Sequence, residues 1–281
     1  MGLGSELEAK RQRLLDLLAS FETCAVAFSA GIDSTVLAQA AYLALGDRAV
    51  AVTGVSPSLA AGELEEARRL AQTIGIRHEV ISTSEFANAN YTQNAPDRCY
   101  HCKSELYLQI EQIAPRLGVR VIVNGANADD VGDYRPGTQA ATEHQVRSPL
   151  LECGIDKAEL RQLALDWGLP IWDKPAMPCL ASRVAYGEEV TPERLAMIDQ
   201  AERLLRAQGL RMVRVRYHKG DLARLEVPLT ELDRLIENAV RQTLVDGFKA
   251  LGFRFVALDL EGFRSGSLNS LVPLDVLNAE G

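Results

Sequence analysis

Seven consecutive residues, Ser29-Ala30-Gly31-Ile32-Asp33-Ser34-Thr35, set hydroxyls, a glycine and a carboxylate side by side. Hydroxyl donors at Ser29, Ser34 and Thr35, next to the backbone N–H groups of a helix starting near Ser34, suit a phosphate. Gly31 can reach backbone angles barred to other residues and lets an anion come close. Asp33 beside a phosphate calls for a cation between them. Mg²⁺, which favours oxygen ligands and bridges carboxylate to phosphate, is the one expected. The same string also reads as a capped helix with an aspartate near its start.

A second run, Asn124-Gly125-Ala126-Asn127-Ala128-Asp129-Asp130, follows an apolar stretch. Asp129 and Asp130 there could meet a metal or a ribose at the carboxyl end of a strand. They could equally form a solvated turn, which Asp and Asn favour. Asp133-Tyr134-Arg135-Pro136-Gly137 reads as a turn that offers Arg135 to a phosphate.

Cys99-Tyr100-His101-Cys102 is a closely spaced thiol pair, and Cys179 lies far along the chain in Pro178-Cys179-Leu180-Ala181-Ser182-Arg183. Three thiolates converging on a metal leave one position open. A structural zinc needs a fourth ligand, and His101 points away from the face the pair shares. A redox pair of the thioredoxin type lacks the right strand context. A [4Fe–4S] cluster on Cys99, Cys102 and Cys179 fits a sulfur-rich site with one iron open, and three ordinary buried thiols remain an alternative. Cys24 and Cys153 need only core or incidental roles.

Arg214 and Arg216 are two apart in Met212-Val213-Arg214-Val215-Arg216-Tyr217, so a strand would put them on one face. Planar guanidinium forks suit phosphate and carboxylate, although a solvated strand face explains the pattern as well. Arg264, between glycines in Gly262-Phe263-Arg264-Ser265-Gly266, is a further anion-binding candidate. Glu226 could ligate a metal or lie on the surface.

The elements that must carry these groups alternate along the chain. Ser5 and Glu8 fit a capping box, and Leu7, Leu14, Leu15, Leu17 and Leu18 mark one face of a first helix. Thr23 to Phe28 reads as a buried strand, followed by a helix through Val36, Leu37, Ala40 and Leu43 that stops near Gly46. Strands over Ala49–Val55, His78–Ile81 and Val119–Val123 then interleave with helices over Leu59–Ile74, from near Lys103 to Leu117, and Asp156–Trp167. Such alternation predicts a mostly parallel sheet with helices on both faces. Pro175 to Gly187 has no period and is expected to be a linker or an active-site loop. Beyond it, Thr191-Pro192 opens a helix. Strands over Arg211–His218, Leu222–Val227 and Phe253–Leu260, and a helix over Leu229–Leu251, predict a smaller α+β domain. The expected division is residues 1–175 and 176–281.

The chain has 281 residues, 47% of them hydrophobic, enough for two domains with real cores. No apolar run is long enough to cross a bilayer, and the charged N-terminal stretch lacks the apolar segment of a secretory signal. These features point to a cytoplasmic protein without membrane partners. A net charge of −8 argues against a broad nucleic-acid surface. Five cysteines in a reducing compartment favour thiols or metal ligands over disulfides.

The segment 29–35 resembles the SGGxDS loop of the PP-loop ATP pyrophosphatases, with Ala30 where the first glycine usually stands. That resemblance implies an adenine nucleotide alpha hydrolase-like fold, with Ser29, Gly31, Asp33, Ser34, Thr35 and Asp130 around ATP. It also implies cleavage of ATP between its α and β phosphates, with AMP placed on a substrate oxygen. VAFSAGIDST, APDRCYHCKSELY, NGANADDVGDYRPG, PCLASRVAYG, VRVRYH and LDLEGFRSG together resemble the LarE family over nearly the whole chain. LarE proteins are ATP-dependent sulfur transferases that build the nickel-pincer nucleotide of lactate racemase. The resemblance implies adenylation of the carboxylates of pyridinium-3,5-biscarboxylic acid mononucleotide, followed by replacement of oxygen by sulfur. Asp33 and Cys179 would be catalytic. Ser182, Arg183, Arg214, Arg216 and Arg264 would contact this small anionic nucleotide. Some members sacrifice a cysteine; others hold a [4Fe–4S] cluster on three, and Cys99, Cys102 and Cys179 place this chain with the second kind. Sulfide, another sulfur donor or Cys179 itself would supply the sulfur, and a homo-oligomer is expected.

Three rivals share parts of this pattern. An iron–sulfur-dependent tRNA-thiolating enzyme has the same loop and cysteines, but the acidity of the chain and its lack of extra zinc-binding cysteine pairs count against it. A non-catalytic ATP sensor or iron–sulfur scaffold would not release pyrophosphate. An amidotransferase-type synthetase would need a glutaminase domain, and none is evident.

Overall fold

A computed structural model describes residues 3–130, 136–174, 177–264 and 267–268. Arg135 and the preceding Asp133-Tyr134, together with Pro175, Ser265 and Gly266, lie outside the described residues.

In chain order the elements are α1 (Ser5–Ser20), β1 (Cys24–Ala27), α2 (Ile32–Leu45), β2 (Ala49–Val55), α3 (Glu63–Ile74), β3 (Arg77–Ser82), α4 (Ala89–Thr92) and α5 (Arg98–Leu117). They continue with β4 (Val121–Val123), α6 (Pro136–Glu143), α7 (Pro149–Glu152), α8 (Lys157–Asp166) and α9 (Pro192–Ala207). The last are β5 (Arg214–His218), β6 (Leu222–Glu226), α10 (Leu232–Ile236), α11 (Asn238–Ala250) and β7 (Phe255–Leu258). The chain divides into two compact units. The first contains residues 1–56, 62–85 and 99–177; the second contains 57–61, 86–98 and 178–281.

In the first unit β3, β2, β1 and β4 lie side by side in that order, every pair parallel. Successive side chains of a strand point to opposite faces, and here both faces are covered. Cys24 and Val26 of β1 join a core with α1, α2, α3 and α8 through Leu14, Leu18, Leu37, Leu70 and Leu160. Ala25 and Ala27 join a second core with α5 and α6 through Tyr107, Ile110 and Ala140. This is why β1 is apolar at all four positions rather than alternating. The expected α/β class, a parallel sheet with helices on both faces, is what the structure has.

Several boundaries differ from expectation for local reasons. Gly4, not Ser5, caps α1, so the Ser5–Glu8 capping box does not form. Leu43 turns outward and is 52% exposed. α3 starts only at Glu63, because its cap Gly62 has φ +87, a left-handed conformation that no helix continues through. α5 starts at Arg98, which places Cys99 and Cys102 inside its first two turns rather than before the helix. Pro136 and Gly137 open α6 rather than closing a turn. The helix expected over Leu229–Leu251 is broken at the extended residue Glu237.

In the second unit β5 and β6 are antiparallel, and β7 runs parallel to β6. Tyr217, Phe248 and Phe253 pack their rings between this sheet and α11. Thr191 caps α9 by accepting from Arg194 N, with Pro192 in the first turn, as expected. The segments 57–61 and 86–98 hold the stretch 178–190 in place. Leu180 N donates to Ser58 O at 2.9 Å. Asn94 Nδ2 donates to the carbonyls of Val184, Ala185 and Glu188 at 3.3, 2.8 and 3.0 Å. Arg98 donates to Ala181 O at 2.9 Å. Among the described residues no helix is long and apolar enough to cross a membrane.

Candidate functional site

The first unit turns from β1 into α2 through Phe28 to Gly31. The helix starts at Ile32, earlier than the expected Ser34, and Gly31 is its cap. The first hydrogen bond of the helical ladder is Thr35 N to Gly31 O at 3.0 Å, so the amides before it have no partner within the helix. Gly31 has an ordinary φ of −76°. The left-handed residue is Ala30, at φ +57°, and its methyl is fully buried. A non-glycine residue there costs roughly 1–2 kcal/mol, so the loop carries strain that its surroundings must offset. A methyl on Gly31 would meet only Ser29 Oγ, at 3.4 Å. The protein itself therefore does not require glycine at that position.

The hydroxyls divide by role. Thr35 is fully buried and its Oγ1 donates to Gly31 O at 2.8 Å, which makes it a brace of the loop. Ser34 Oγ donates to the same carbonyl at 3.1 Å and accepts from Ser29 N at 3.2 Å. Ser29 is exposed, and Asp33, in the first turn of α2, is partly so.

Gly125 brings the second run against this turn. A methyl there would stand 2.9 Å from Ser34 N and 3.1 Å from the Asp33 carbonyl carbon, both backbone atoms. Within the run, Asp130 Oδ2 accepts from Asn127 N at 3.1 Å. Asp129 Oδ2 accepts from Lys157 N at 3.0 Å and so ties the run to the start of α8. Of the two aspartates, Asp129 serves the fold in this way.

Lys174 completes this side of the unit. Its Nζ lies 3.4 Å from Ala30 O and 3.4 Å from Glu63 Oε2. Sequence reasoning missed both residues. Lys174 is 144 positions from the loop it touches, and it sits in a stretch without periodicity. The one available signal was its place just before Pro175.

The cysteines fall into two classes. Cys24 and Cys153 are buried. Burial pushes the Cys24 thiol up to about 12 and also raises Cys153. Cys99 and Cys179 are exposed and Cys102 is partly so. Cys99 and Cys102, three apart on one helix, share a side of α5. Cys179 caps the short turn Leu180–Arg183 in the second unit. Among the described residues no three His, Cys, Asp or Glu side chains gather as a metal site.

Arg183, Arg214 and Arg216 of the second unit are buried rather than solvated. Arg183, fully buried, gives its Nε to Glu202 Oε1 at 3.0 Å and an Nη to Cys179 O at 2.9 Å. It holds the Cys179 turn in shape. Arg216 donates through Nε and Nη2 to Glu226 Oε2, at 3.0 and 2.8 Å, and through Nη1 to Ser182 O at 3.0 Å. Ser182 Oγ in turn donates to Cys179 O at 2.7 Å. Glu226 is fully buried between Arg216 and Arg224 and accepts from Ser267. These partners balance its charge, and it lies in the interior rather than on the surface. Arg264 pairs with Asp259 and Glu261 at 3.4 and 2.8 Å.

Arg214 differs from its neighbours. It is 4% exposed, lies over the Phe263 ring at 5.3 Å and donates to Val213 O. Burial, with repulsion from Arg183, Arg216 and Arg206 that Glu202 only partly offsets, holds its guanidinium down at about 10.

A parallel sheet with an SxGxDS turn between its first strand and helix, met by an aspartate-bearing run at the end of β4, is the fold of the PP-loop ATP pyrophosphatases. No protein-family model matches the chain. It is 47% identical over 266 residues to an uncharacterized protein of Synechocystis, covering 95% of this chain and 99% of the relative. It is 36% identical over 266 residues to the pyridinium-3,5-bisthiocarboxylic acid mononucleotide synthase of Lactiplantibacillus plantarum, covering 94% of this chain and 95% of that protein. A tRNA-specific 2-thiouridylase of Caulobacter is 31% identical over 53% of this chain and 46% of its own length. The chain therefore belongs to the LarE family, that of the pyridinium-3,5-bisthiocarboxylic acid mononucleotide synthase.

Proposed function

We propose that this protein is an ATP-dependent sulfur transferase that converts the carboxylates of pyridinium-3,5-biscarboxylic acid mononucleotide to thiocarboxylates, for the nickel-pincer cofactor of lactate racemase. The observation that carries this reading is the match, along nearly its whole length, to a synthase of the bisthiocarboxylic acid mononucleotide.

In this reading residues 1–175 form the nucleotide domain. The amides at the start of α2 and the exposed Ser29 hydroxyl bind the phosphates of ATP, and the room left at Gly31 admits them. Ser34 and Thr35 keep the turn in shape, and Lys174 adds a positive charge beside it. Asp33 and Asp130, both oxygen donors, would hold Mg²⁺, which neutralises the phosphates. A substrate carboxylate oxygen attacks the α-phosphorus, the α–β bridging bond breaks and pyrophosphate leaves. A sulfur nucleophile then adds to the acyl carbon, and AMP departs with the oxygen. The cycle runs once for each carboxylate. Positioning by these residues lowers the barrier to both displacements.

Residues 176–281 form the substrate-binding and oligomerisation domain of a homo-oligomer. Arg214, a buried cation that its surroundings disfavour, binds the substrate's anionic groups, with Ser182 and Arg264 beside them. Arg216 positions Ser182. The thiols of Cys99, Cys102 and Cys179, the three that reach the surface, would hold a [4Fe–4S] cluster. When bound, such a cluster would supply sulfide; without it the Cys179 thiolate adds to the acyl carbon. β-Elimination, with loss of the Cα proton, then breaks its Cβ–Sγ bond and leaves dehydroalanine. That route gives one sulfur per chain, so the two carboxylates need two chains.

The test incubates anaerobically purified protein with ATP, Mg²⁺ and the dicarboxylate nucleotide, and follows AMP, pyrophosphate and the thiocarboxylate by mass spectrometry. Substrate-dependent AMP formation that Asp33→Asn abolishes is the expected result. Full activity of that variant, or sulfur appearing in tRNA instead, overturns the reading. Iron-free, colourless protein that still transfers sulfur from Cys179 overturns the cluster and leaves the ATP chemistry intact.

A further inference from the structure

The loop 28–31 is held from the β2 side by two residues that no part of the reaction uses. The backbone ladder between β1 and β2 ends at the pair Ala27–Val52, with Phe28 N donating to Val52 O at 2.8 Å. Beyond that point a side chain takes over. Thr53 Oγ1 donates to Phe28 O at 2.8 Å. The N–H of the same peptide, on Ser29, donates to Ser34 Oγ at 3.2 Å. The peptide plane between Phe28 and Ser29 is thus fixed at both ends by hydroxyls, one residue before the left-handed Ala30.

Thr53 is itself oriented. Its Oγ1 also lies 2.8 Å from His78 Nε2. A threonine hydroxyl has one proton, and a carbonyl can only accept, so that proton goes to Phe28 O. The contact with His78 therefore requires Nε2 to carry its own proton and donate. The His78 ring stands edge-on to Phe28, with centroids 5.8 Å apart, which fixes its plane. Thr53 is 3% exposed, so water does not compete for its hydroxyl.

We infer that His78 and Thr53 are positioning residues for nucleotide binding, a donor relay from His78 through Thr53 to the Phe28 carbonyl that holds the phosphate loop in its binding shape against the strain at Ala30. The inference rests on the reading that this loop binds ATP. It accounts for a polar threonine at a buried strand position and for alanine being tolerated where a left-handed residue is required.

The test measures Mg·ATP affinity by calorimetry, together with thermal melting, on the full-length protein. Thr53→Val, which keeps the shape and removes the hydroxyl, should weaken ATP binding about tenfold, the effect of one lost buried hydrogen bond. Thr53→Ser should retain it. His78→Phe should weaken binding and His78→Gln, which restores a donor, should recover it. Adding Ala30→Gly to Thr53→Val should recover most of the loss, because the loop no longer needs the brace. A residue that served only global stability would lower the melting temperature of Thr53→Val and leave affinity unchanged. That outcome overturns the inference, as does equal binding by His78→Phe and His78→Gln, a measurement available even if Thr53→Val fails to fold. Failure of the parent protein to bind ATP would overturn the functional reading instead.

Discussion

At the scale of single residues, burial decides which groups can react. A thiol is nucleophilic only as the thiolate, and burial keeps Cys24 neutral up to about 12 and also raises Cys153. Iodoacetamide near neutral pH should therefore label Cys99, Cys102 and Cys179 in the native metal-free protein, and Cys24 and Cys153 only after unfolding, as read by peptide mass spectrometry. Arg214 offers a second check. Its folded pKa, about 10, lies below the ordinary arginine value, so the fold disfavours the cation at every pH below about 10 and is relieved only as the pH rises past it. At neutral pH the penalty is complete. Arg214→Met should lower the affinity for the dicarboxylate nucleotide at least about tenfold, as measured by calorimetry. Unchanged affinity would show that Arg214 does not meet the substrate.

At the scale of elements, the nucleotide site is a meeting of one helix start with one loop, and Gly125 sets how closely they meet. A methyl there would stand 2.9 Å from Ser34 N, and neither backbone can yield without moving the loop. Gly125→Ala should cost roughly 1–3 kcal/mol of stability in urea melts and reduce ATP affinity by at least about tenfold. Gly31→Ala, where a methyl meets only Ser29 Oγ at 3.4 Å, should leave stability nearly unchanged and lose ATP affinity. The pair separates a glycine required by packing from one that leaves room for a ligand.

At the scale of the whole molecule, the second unit depends on short pieces drawn from earlier in the chain. Asn94 is fully buried, has φ +57° and gives its amide to three carbonyls around the Cys179 stretch. Asn94→Ala removes those donors and puts alanine in a left-handed conformation. The expected loss is roughly 2–4 kcal/mol in urea melts, with Cys179 alkylated faster than in the parent. An unchanged melt would show that the segments 57–61 and 86–98 are not what steadies residues 178–190.

Local signals in the chain were enough for much of this. The fully apolar β1 and the apolar first half of β2, interleaved with helical periods, specified a parallel sheet covered on both faces, because only strands buried twice can do without polar alternation. The phosphate turn was legible for the same kind of reason, since its residue types and spacing act within seven positions. What sequence could not reveal were contacts between distant segments. Lys174 reaches Ala30 across 144 residues. Arg216 read equally as a solvated strand face until its acidic partner Glu226 came from the neighbouring strand, and Arg183 found Glu202 on α9. Thr53 and His78 read as ordinary strand residues until the register of β1, β2 and β3 brought both to the carbonyl before Ser29. Periodicity and spacing report what a residue does with its chain neighbours; the partner of a buried polar group is chosen by packing, which exists only once the chain has folded.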